Sequence, residues 1–202
     1  SMLSHGEVVS SIIEREVPQF EIRKLNVKQE NHYGISKYYE ALDQIYNYKL
    51  QNSDEKILVN ISLGFYESEN YHQLLIENLS DLDVGIIAAA GNDDSPIAFY
   101  PAAYDAEVIA VASIQGDKKT DYSNYGEYID ICADGSFFTT ISLPQFLSYR
   151  ASGTSFAAPR VTAFLAKILS SEKDMSIKNA VENLNELSVP LDDELYSQGL
   201  LG

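Results

Sequence analysis

Apolar residues along this chain follow two spacings, one typical of amphipathic helices and one typical of buried strands. Helical spacing occurs at 5–16, 34–50, 70–81, 154–171 and 175–187. Apolar runs and alternations predict strands at 20–27, 56–64, 83–92, 107–114 and 127–133, with a hairpin at 137–150 around Pro144. Because helices alternate with continuous apolar strands, we predict an α/β fold with a mostly parallel sheet flanked by helices on both faces.

Three polar or glycine-rich segments come directly after predicted strands. They are NISLG (60–64), AAAGND (88–93) and CADGS (132–136). Open parallel sheets bind ligands outside the carboxyl ends of their strands. The sequence therefore predicts that a functional site lies at this edge of the sheet.

Composition narrows the classes of partner and cofactor. The net charge of −16 argues against nucleic acid, because phosphate binding needs clustered Lys and Arg. No apolar run reaches the roughly 18–20 residues that span a bilayer, so no membrane partner is expected. The single cysteine, Cys132, excludes an internal disulfide and a cysteine-based zinc cluster. We expect no metal, no cofactor and one domain covering residues 1–202.

Three residues have the chemistry that nucleophilic acyl transfer needs. Ser155 lies at the start of a predicted helix, His5 at the start of another, and Asn92 follows a strand. A serine hydroxyl needs a base to take its proton, and histidine does this near neutral pH. The side-chain amide of Asn92 and a backbone N–H of the Ser155 helix would then stabilise the oxyanion.

Each of these residues also has a simpler interpretation. A serine at a helix start is commonly a cap, and an asparagine after a glycine commonly forms a turn. A single histidine such as His5 is more often structural or exposed. His32 and His72 are both predicted to lie at the surface.

Five motifs occur together in a fixed order along the chain. They are HG-x-x-V at 5–9, NISLG at 60–64, AAAGN at 88–92, YPAAYDAEVIAVASI at 100–114 and SGTSFAAPRVTA at 152–163. This set resembles the subtilisin-like serine proteases, or subtilases, over nearly the whole chain. The resemblance implies a subtilisin-like fold and peptide-bond hydrolysis through an acyl-serine intermediate.

The resemblance also implies a role for each matching position. His5 matches the family's catalytic base, Ser155 its nucleophile and Asn92 its oxyanion-hole amide. Segment 62–64 matches the strand that pairs with the substrate backbone, and segment 88–91 matches a wall of the pocket before the cleaved bond. The implied substrate-binding residues are therefore Ser62, Leu63, Gly64, Ala88, Ala89, Ala90 and Gly91. The implied partner is a peptide or protein substrate in extended conformation.

One departure from the family pattern affects the expected activity. The family's third catalytic residue is an aspartate on a strand before the histidine, where it orients the imidazole. Only residues 1–4 precede His5, so neither this aspartate nor its strand is in the sequence. We therefore expect an N-terminally truncated domain, impaired as an enzyme on its own.

Three hypotheses explain this departure. In the first, the sequence begins downstream of the aspartate. In the second, the missing strand comes from a second chain, or neighbouring copies pair at the gap. In the third, the protein is an inactive pseudoprotease that binds a peptide or partner without cleaving it.

Substrate preference and location are less well defined by the sequence. Asp93 and Asp94, beside Asn92, favour basic or neutral substrates. The sequence shows no signal peptide, so it assigns no compartment, although family members are often secreted.

Overall fold

The described strands form one mixed sheet and a separate hairpin. The structure, a computed structural model, describes residues 4–27, 34–104, 108–142, 146–172, 174–193 and 196–199. The strands are β1 (Ile57–Ile61), β2 (Val84–Ala89), β3 (Ile109–Gln115), β4 (Lys118–Lys119), β5 (Ile131–Asp134), β6 (Ser136–Ser142), β7 (Phe146–Ser152), β8 (Val189–Asp193) and β9 (Tyr196–Gly199).

The sheet is parallel except at β4 and β8. Its order is β1-β2-β3-β5-β9-β8, and β4 pairs with β3 beside this path. β4 and β8 run antiparallel to β3 and β9, and the remaining neighbours are parallel. β6 and β7 pair antiparallel as the separate hairpin.

Helices cover both faces of the sheet. They are α1 (His5–Glu16), α2 (Ile35–Gln51), α3 (Asn70–Asp81), α4 (Thr154–Ser171) and α5 (Ile177–Leu187). Alternate side chains of β2 enter opposite cores: Ile86 and Ala88 pack with α2 and α3, whereas Ile87 and Ala89 pack with α4 and α5. Because both faces are covered, the central strands are apolar at nearly every position.

The predicted fold class and the five predicted helices are confirmed. The predicted hairpin is also confirmed as β6 and β7, although its turn at Pro144 lies outside the described residues. β4, β8 and β9 were not predicted. These strands have only two to five residues each and no apolar alternation long enough to identify them.

The predicted strand at 20–27 is wrong, because the structure shows no strand there. Alternating residues form a strand only when a neighbour completes the hydrogen-bond ladder. Val27 packs in the same core as Val59 of β1, yet β1 pairs only with β2 among the described strands. Side-chain contacts fix the segment instead: the guanidinium of Arg23 stacks 4.1 Å from the ring centre of Tyr48.

His72 is buried rather than exposed as the sequence indicated. It is 1% exposed on α3, and its Nε2 lies 2.9 Å from the hydroxyl of Tyr38 on α2. The rings of Tyr38, Tyr39 and Tyr104 surround it at 5.0 to 5.5 Å between centres. Burial lowers the pKa of His72 to about 4, while Glu69 opposes this change. The imidazole is therefore neutral in the folded protein at neutral pH.

His72 should make the free energy of unfolding depend on pH between about 6.5 and 4. The folded pKa lies below the unfolded value of 6.5, so the unfolded chain takes up the proton first as the pH falls. We expect a loss on the order of 2–3 kcal/mol between pH 7 and pH 4.5, measured by urea unfolding. His72→Phe should lack this part of the pH dependence.

Tyr38→Phe is the matched control for this prediction. It removes the hydrogen bond to His72 but keeps the imidazole buried, so the pH dependence should persist. Equal pH dependence in the parent and in His72→Phe would contradict the assignment to His72.

Candidate active site

Thr154 connects the start of α4 to the loop that follows β2. Its backbone N–H donates to the Oδ1 of Asn92 at 2.8 Å, and its hydroxyl lies 3.1 Å from the same oxygen. The N–H of Gly91 donates to the Thr154 hydroxyl at 3.2 Å. These bonds occupy the carbonyl oxygen of the Asn92 side chain, and its NH₂ group donates to no acceptor among the described residues.

Ser155 is half-buried in the first turn of α4, next to β1. Its hydroxyl donates to the carbonyl oxygen of Ser62 across a long distance of 3.4 Å. The hydroxyl of Ser62 donates in return to the carbonyl oxygen of Ser155 at 2.9 Å. The two serines therefore link α4 to the segment that follows β1.

Pro159 explains why the carbonyl oxygen of Ser155 accepts a bond from outside the helix. In a regular α-helix this oxygen would accept from the N–H four residues later, which is position 159. Proline has no N–H, so the acceptor is available to Ser62. The sequence alone did not show this consequence of the proline.

A chain of side-chain hydrogen bonds supports the position of Ser62. Thr162 on α4 donates to Asn60 at 3.1 Å, and the amide of Asn60 donates to the hydroxyl of Ser62 at 3.0 Å. The chain thus runs from the third turn of α4 through β1 and back to Ser155 in the first turn. Asn60 and Thr162 were not predicted as site residues, although Asn60 is a polar residue in an apolar strand.

His5 lies at the first position of α1, which packs against α4. Ser4 and Glu7 form a capping box that fixes this helix start. The imidazole is exposed on one side and lies 5.9 Å from the ring centre of Phe156 on the other. This partial desolvation lowers the pKa of His5, so the neutral form that can accept a proton is favoured.

The structure brings the predicted residues together to different degrees. Ser62 and Ser155 bond to each other, Asn92 bonds to the neighbouring Thr154, and His5 lies on α1, which packs against α4. Among the described residues, no hydrogen bond joins His5 to Ser155 and no carboxylate bonds to the imidazole. Catalytic hydrogen bonds are commonly long in ligand-free sites and shorten with substrate.

The segment after β1 exposes unpaired backbone groups close to Ser155. Within the described residues, the backbone groups of Leu63 and Gly64 form no hydrogen bonds. Phe65 then pairs with Tyr100 through two bonds of 2.7 Å. A side chain at Gly64 would collide with the ring of Phe99 and the carbonyl of Tyr100, so only glycine fits.

The predicted pocket wall at 88–91 is almost completely buried. Ala88 and Ala89 pack into the two cores on opposite faces of the sheet, and Ala90 is 0% exposed. Gly91 has φ +102°, a conformation that favours glycine. Contact between this segment and a substrate would therefore depend on its backbone and on the turn at Gly91.

Asn124 organises the loop that carries Asn92, and sequence reasoning missed it. It is 0% exposed, and its Oδ1 accepts from the N–H groups of Asp93 and Ser95 at 2.9 and 3.2 Å. Its amide donates to the hydroxyl of Tyr66 at 3.2 Å. A lone asparagine in the polar stretch around it gives no pattern that would have identified this role.

The described residues contain no group of three or more His, Cys, Asp or Glu placed to hold a metal ion. None of the described helices is long and apolar enough to cross a membrane.

Comparison with known protein families identifies the family. The model of the subtilase family matches residues 6–188, which is most of the chain. The chain belongs to the subtilase family. The motifs around His5, Asn92 and Ser155 all lie in, or directly beside, this matched range.

Two curated subtilases illustrate the similarity. The thermophilic serine proteinase of Bacillus sp. (strain AK1) is 35% identical over 132 residues, covering 62% of this chain and 31% of that protein. Thermitase of Thermoactinomyces vulgaris is 30% identical over 128 residues, covering 62% of this chain and 45% of thermitase. The chain thus spans less than half the length of either relative.

Solved structures of proteases share the fold. A lanthipeptide protease superposes with a TM-score of 0.79 at 20% identity, covering 96% of this chain and 71% of the other. The prenylagaramide maturation protease PagA superposes with a TM-score of 0.73 at 24% identity, covering 95% and 74%. At these identities the superpositions establish the subtilisin-like fold.

A double-mutant cycle tests the connection between Pro159, Ser62 and Ser155. Ser62→Ala should lower the free energy of unfolding by about 1–2 kcal/mol, because the carbonyl oxygen of Ser155 loses its donor. Pro159→Ala supplies an N–H that can bond to the same oxygen. We therefore expect Ser62→Ala to cost less in the Pro159→Ala background, by at least about 0.5 kcal/mol in urea unfolding. The same cost in both backgrounds would show that the two residues do not share this acceptor.

Proposed function

We propose that this chain is the catalytic core of a serine endopeptidase. The observation that carries the proposal is the bonding of Thr154 to the Oδ1 of Asn92, which holds the Asn92 amide beside the first turn of α4, with its NH₂ unbonded among the described residues. The backbone N–H of Ser155, in that first turn, forms no hydrogen bond within the described residues. Two donors at a helix N-terminus are suited to stabilising an oxyanion next to a serine hydroxyl.

The proposed reaction is acyl transfer in two steps. The oxygen of Ser155 attacks the peptide carbonyl carbon while His5 accepts its proton, and the C=O electron pair moves to the oxygen as an oxyanion. The amide of Asn92 and the N–H of Ser155 stabilise this charge. Collapse breaks the C–N bond, and His5 gives the proton to the leaving amine. Water, deprotonated by His5, then releases the acyl group and regenerates Ser155.

The substrate would bind as an extended strand along residues 62–64. This is supported by the backbone groups of Leu63 and Gly64, which form no bonds in the described part of the chain. The peptide would pass the turn at Gly91, with segment 88–91 forming one wall. We propose that these elements belong to a single peptidase domain over residues 1–202.

We propose that a carboxylate for His5 is supplied on a strand paired with the open edge of β1. β1 pairs only with β2 among the described strands, so its second edge presents backbone donors and acceptors. Val17, just after α1, packs against the same group of side chains as Leu58 of β1, so the end of the His5 helix lies close to β1. The strand would come from a segment outside residues 1–202 or from a second chain.

A second candidate function is peptide binding without cleavage. It is favoured by the imidazole of His5, which has no hydrogen-bond partner among the described residues. An imidazole without an orienting carboxylate is a poor base; in subtilisin, removing that aspartate lowers kcat on the order of 10⁴-fold. The two candidates share the peptide site but differ in turnover.

Hydrolysis of quenched-fluorescence peptides by the full-length protein tests the proposal. Ser155→Ala should abolish hydrolysis. Asn92→Ala should lower kcat roughly 10²–10³-fold with little change in KM, the loss measured for the equivalent amide in subtilisin. Ser170→Ala is the matched control, because Ser170 is exposed at the far end of α4, about 22 Å from Ser155.

Two results would overturn the proposal of catalysis. One is activity that survives Ser155→Ala. The other is a folded full-length protein that binds peptides but never cleaves them, even with a strand bearing the aspartate added. The second result would establish the binding protein instead.

A further inference from the structure

A cavity of about 330 Å³ opens beside the proposed peptide path. It lies between the first turn of α2, the start of α3 and the residues that follow Gly64. Its walls include the rings of Tyr39, Phe65 and Tyr66, with the carboxylates of Glu67 and Glu69 and the ring of His72. None of these side chains has a role in the reaction described above.

The cavity lies within reach of a substrate bound at Ser155. Phe65 directly follows the segment 62–64, and the carbonyl oxygen of Ser62 is 3.4 Å from the hydroxyl of Ser155. An extended chain advances about 3.3 Å per residue. A peptide lying along 62–64 would therefore bring a side chain to the cavity about three or four residues from the cleaved bond.

The charge of the cavity is negative at neutral pH. Glu67 and Glu69 are exposed, and neither forms an ion pair with a described lysine or arginine. Tyr39 donates its hydroxyl proton to Glu69 at 2.8 Å, and burial together with this bond raises the pKa of Tyr39. His72 adds no positive charge, because burial keeps its imidazole neutral.

The nearby helix ends do not neutralise this charge. α2 begins at Ile35 and α3 at Asn70, and each helix N-terminus is equivalent to roughly half a positive charge. Two carboxylates against about one positive charge leave the cavity negative. An anionic group would be repelled, and a purely apolar one would desolvate the carboxylates without replacing their hydrogen bonds.

Aromatic walls with a carboxylate rim fit a cationic side chain. The faces of Tyr39, Phe65 and Tyr66 offer cation–π attraction, and the methylene stem of a lysine or arginine would pack against the same rings. The carboxylates of Glu67 and Glu69 would pair with the charged end. The nearby lysine Lys119 already pairs with Asp94.

We propose that this cavity binds a lysine or arginine side chain of the substrate peptide, three or four residues from the cleaved bond. The inference rests on the proposed peptidase function and names its substrate class. The sequence had assigned a basic or neutral preference to Asp93 and Asp94. In the structure Asp94 pairs with Lys119, and neither Asp93 nor Asp94 lines the cavity, so the preference proposed here depends on Glu67 and Glu69.

Peptide binding to the full-length Ser155→Ala protein tests this inference without requiring turnover. Fluorescent decapeptides would carry one lysine moved along the chain, with norleucine and glutamate as replacements at each position. At one position, lysine should bind about tenfold more tightly than norleucine. Adding Glu67→Gln and Glu69→Gln should reduce this ratio to below about twofold, and adding Glu67→Lys should favour the glutamate peptide.

Glu182→Gln with Glu186→Gln is the matched control, since it removes two charges from α5 on the opposite face of the sheet. The control should keep the lysine preference. Equal loss in the control would assign the preference to net charge and overturn the inference. Binding without lysine preference would also overturn it while leaving peptide binding intact. No binding of any peptide would refute both the inference and the proposed substrate site.

Discussion

The first turn of α4 is fixed from outside the helix by hydrogen bonds, and the candidate site depends on this. Thr154 bonds to the loop after β2, and Ser62 bonds to the carbonyl oxygen that Pro159 leaves without a donor. The rest of α4 is held by burial, since its apolar side chains, among them Val161, Leu165 and Leu169, pack in the core against the sheet. A helix start normally exposes donors to water. Here the N–H of Thr154 instead bonds to Asn92, which brings the Asn92 side chain beside the N–H of Ser155.

The same constraint explains why the site lies where two loops and a helix meet. Parallel strands bring the ends of β1 and β2 to one edge, and α4 begins at that edge. Asn124 then holds the loop after β2 through two backbone N–H groups. Each of these hydrogen bonds has only modest strength. Together they define the positions of Asn92 and Ser155 without a metal or a disulfide among the described residues.

Sequence patterns predicted the helices and the longer strands, which have clear helical spacing or continuous apolar runs. Continuous apolar strands require cover on both faces, so the α/β sheet and its helices could be predicted from periodicity. The rule for strand ends placed residues 60–64 and 88–93 at one edge of the sheet, whereas the assignment of Ser155 to the same site rested on the family resemblance. The predicted strand at 20–27 was wrong because apolar–polar alternation describes only the segment itself, whereas a strand also needs a neighbouring strand to hydrogen-bond with. The prediction that His72 is exposed was wrong because the aromatic residues that bury it come from α2 and from the segment around Tyr104.

The consequence of Pro159 and the cavity at Tyr39 could not be predicted for a related reason. Both depend on contacts between segments far apart in the chain, and a single sequence carries no record of such contacts. The acceptor that Pro159 leaves open is visible in the sequence, but its donor Ser62 lies 93 residues from Ser155. In the same way, the net charge of −16 says nothing about which carboxylates are paired.

Covalent labelling of Ser155 tests the central claim most directly. The full-length folded protein would be treated with a fluorophosphonate, and the adduct located by tandem mass spectrometry. The account predicts a single adduct on Ser155, with much slower labelling of Asn92→Ala because the oxyanion donor is lost. An adduct on another residue, or no adduct even when a strand bearing the aspartate is supplied, would contradict the claim that α4 presents an activated serine.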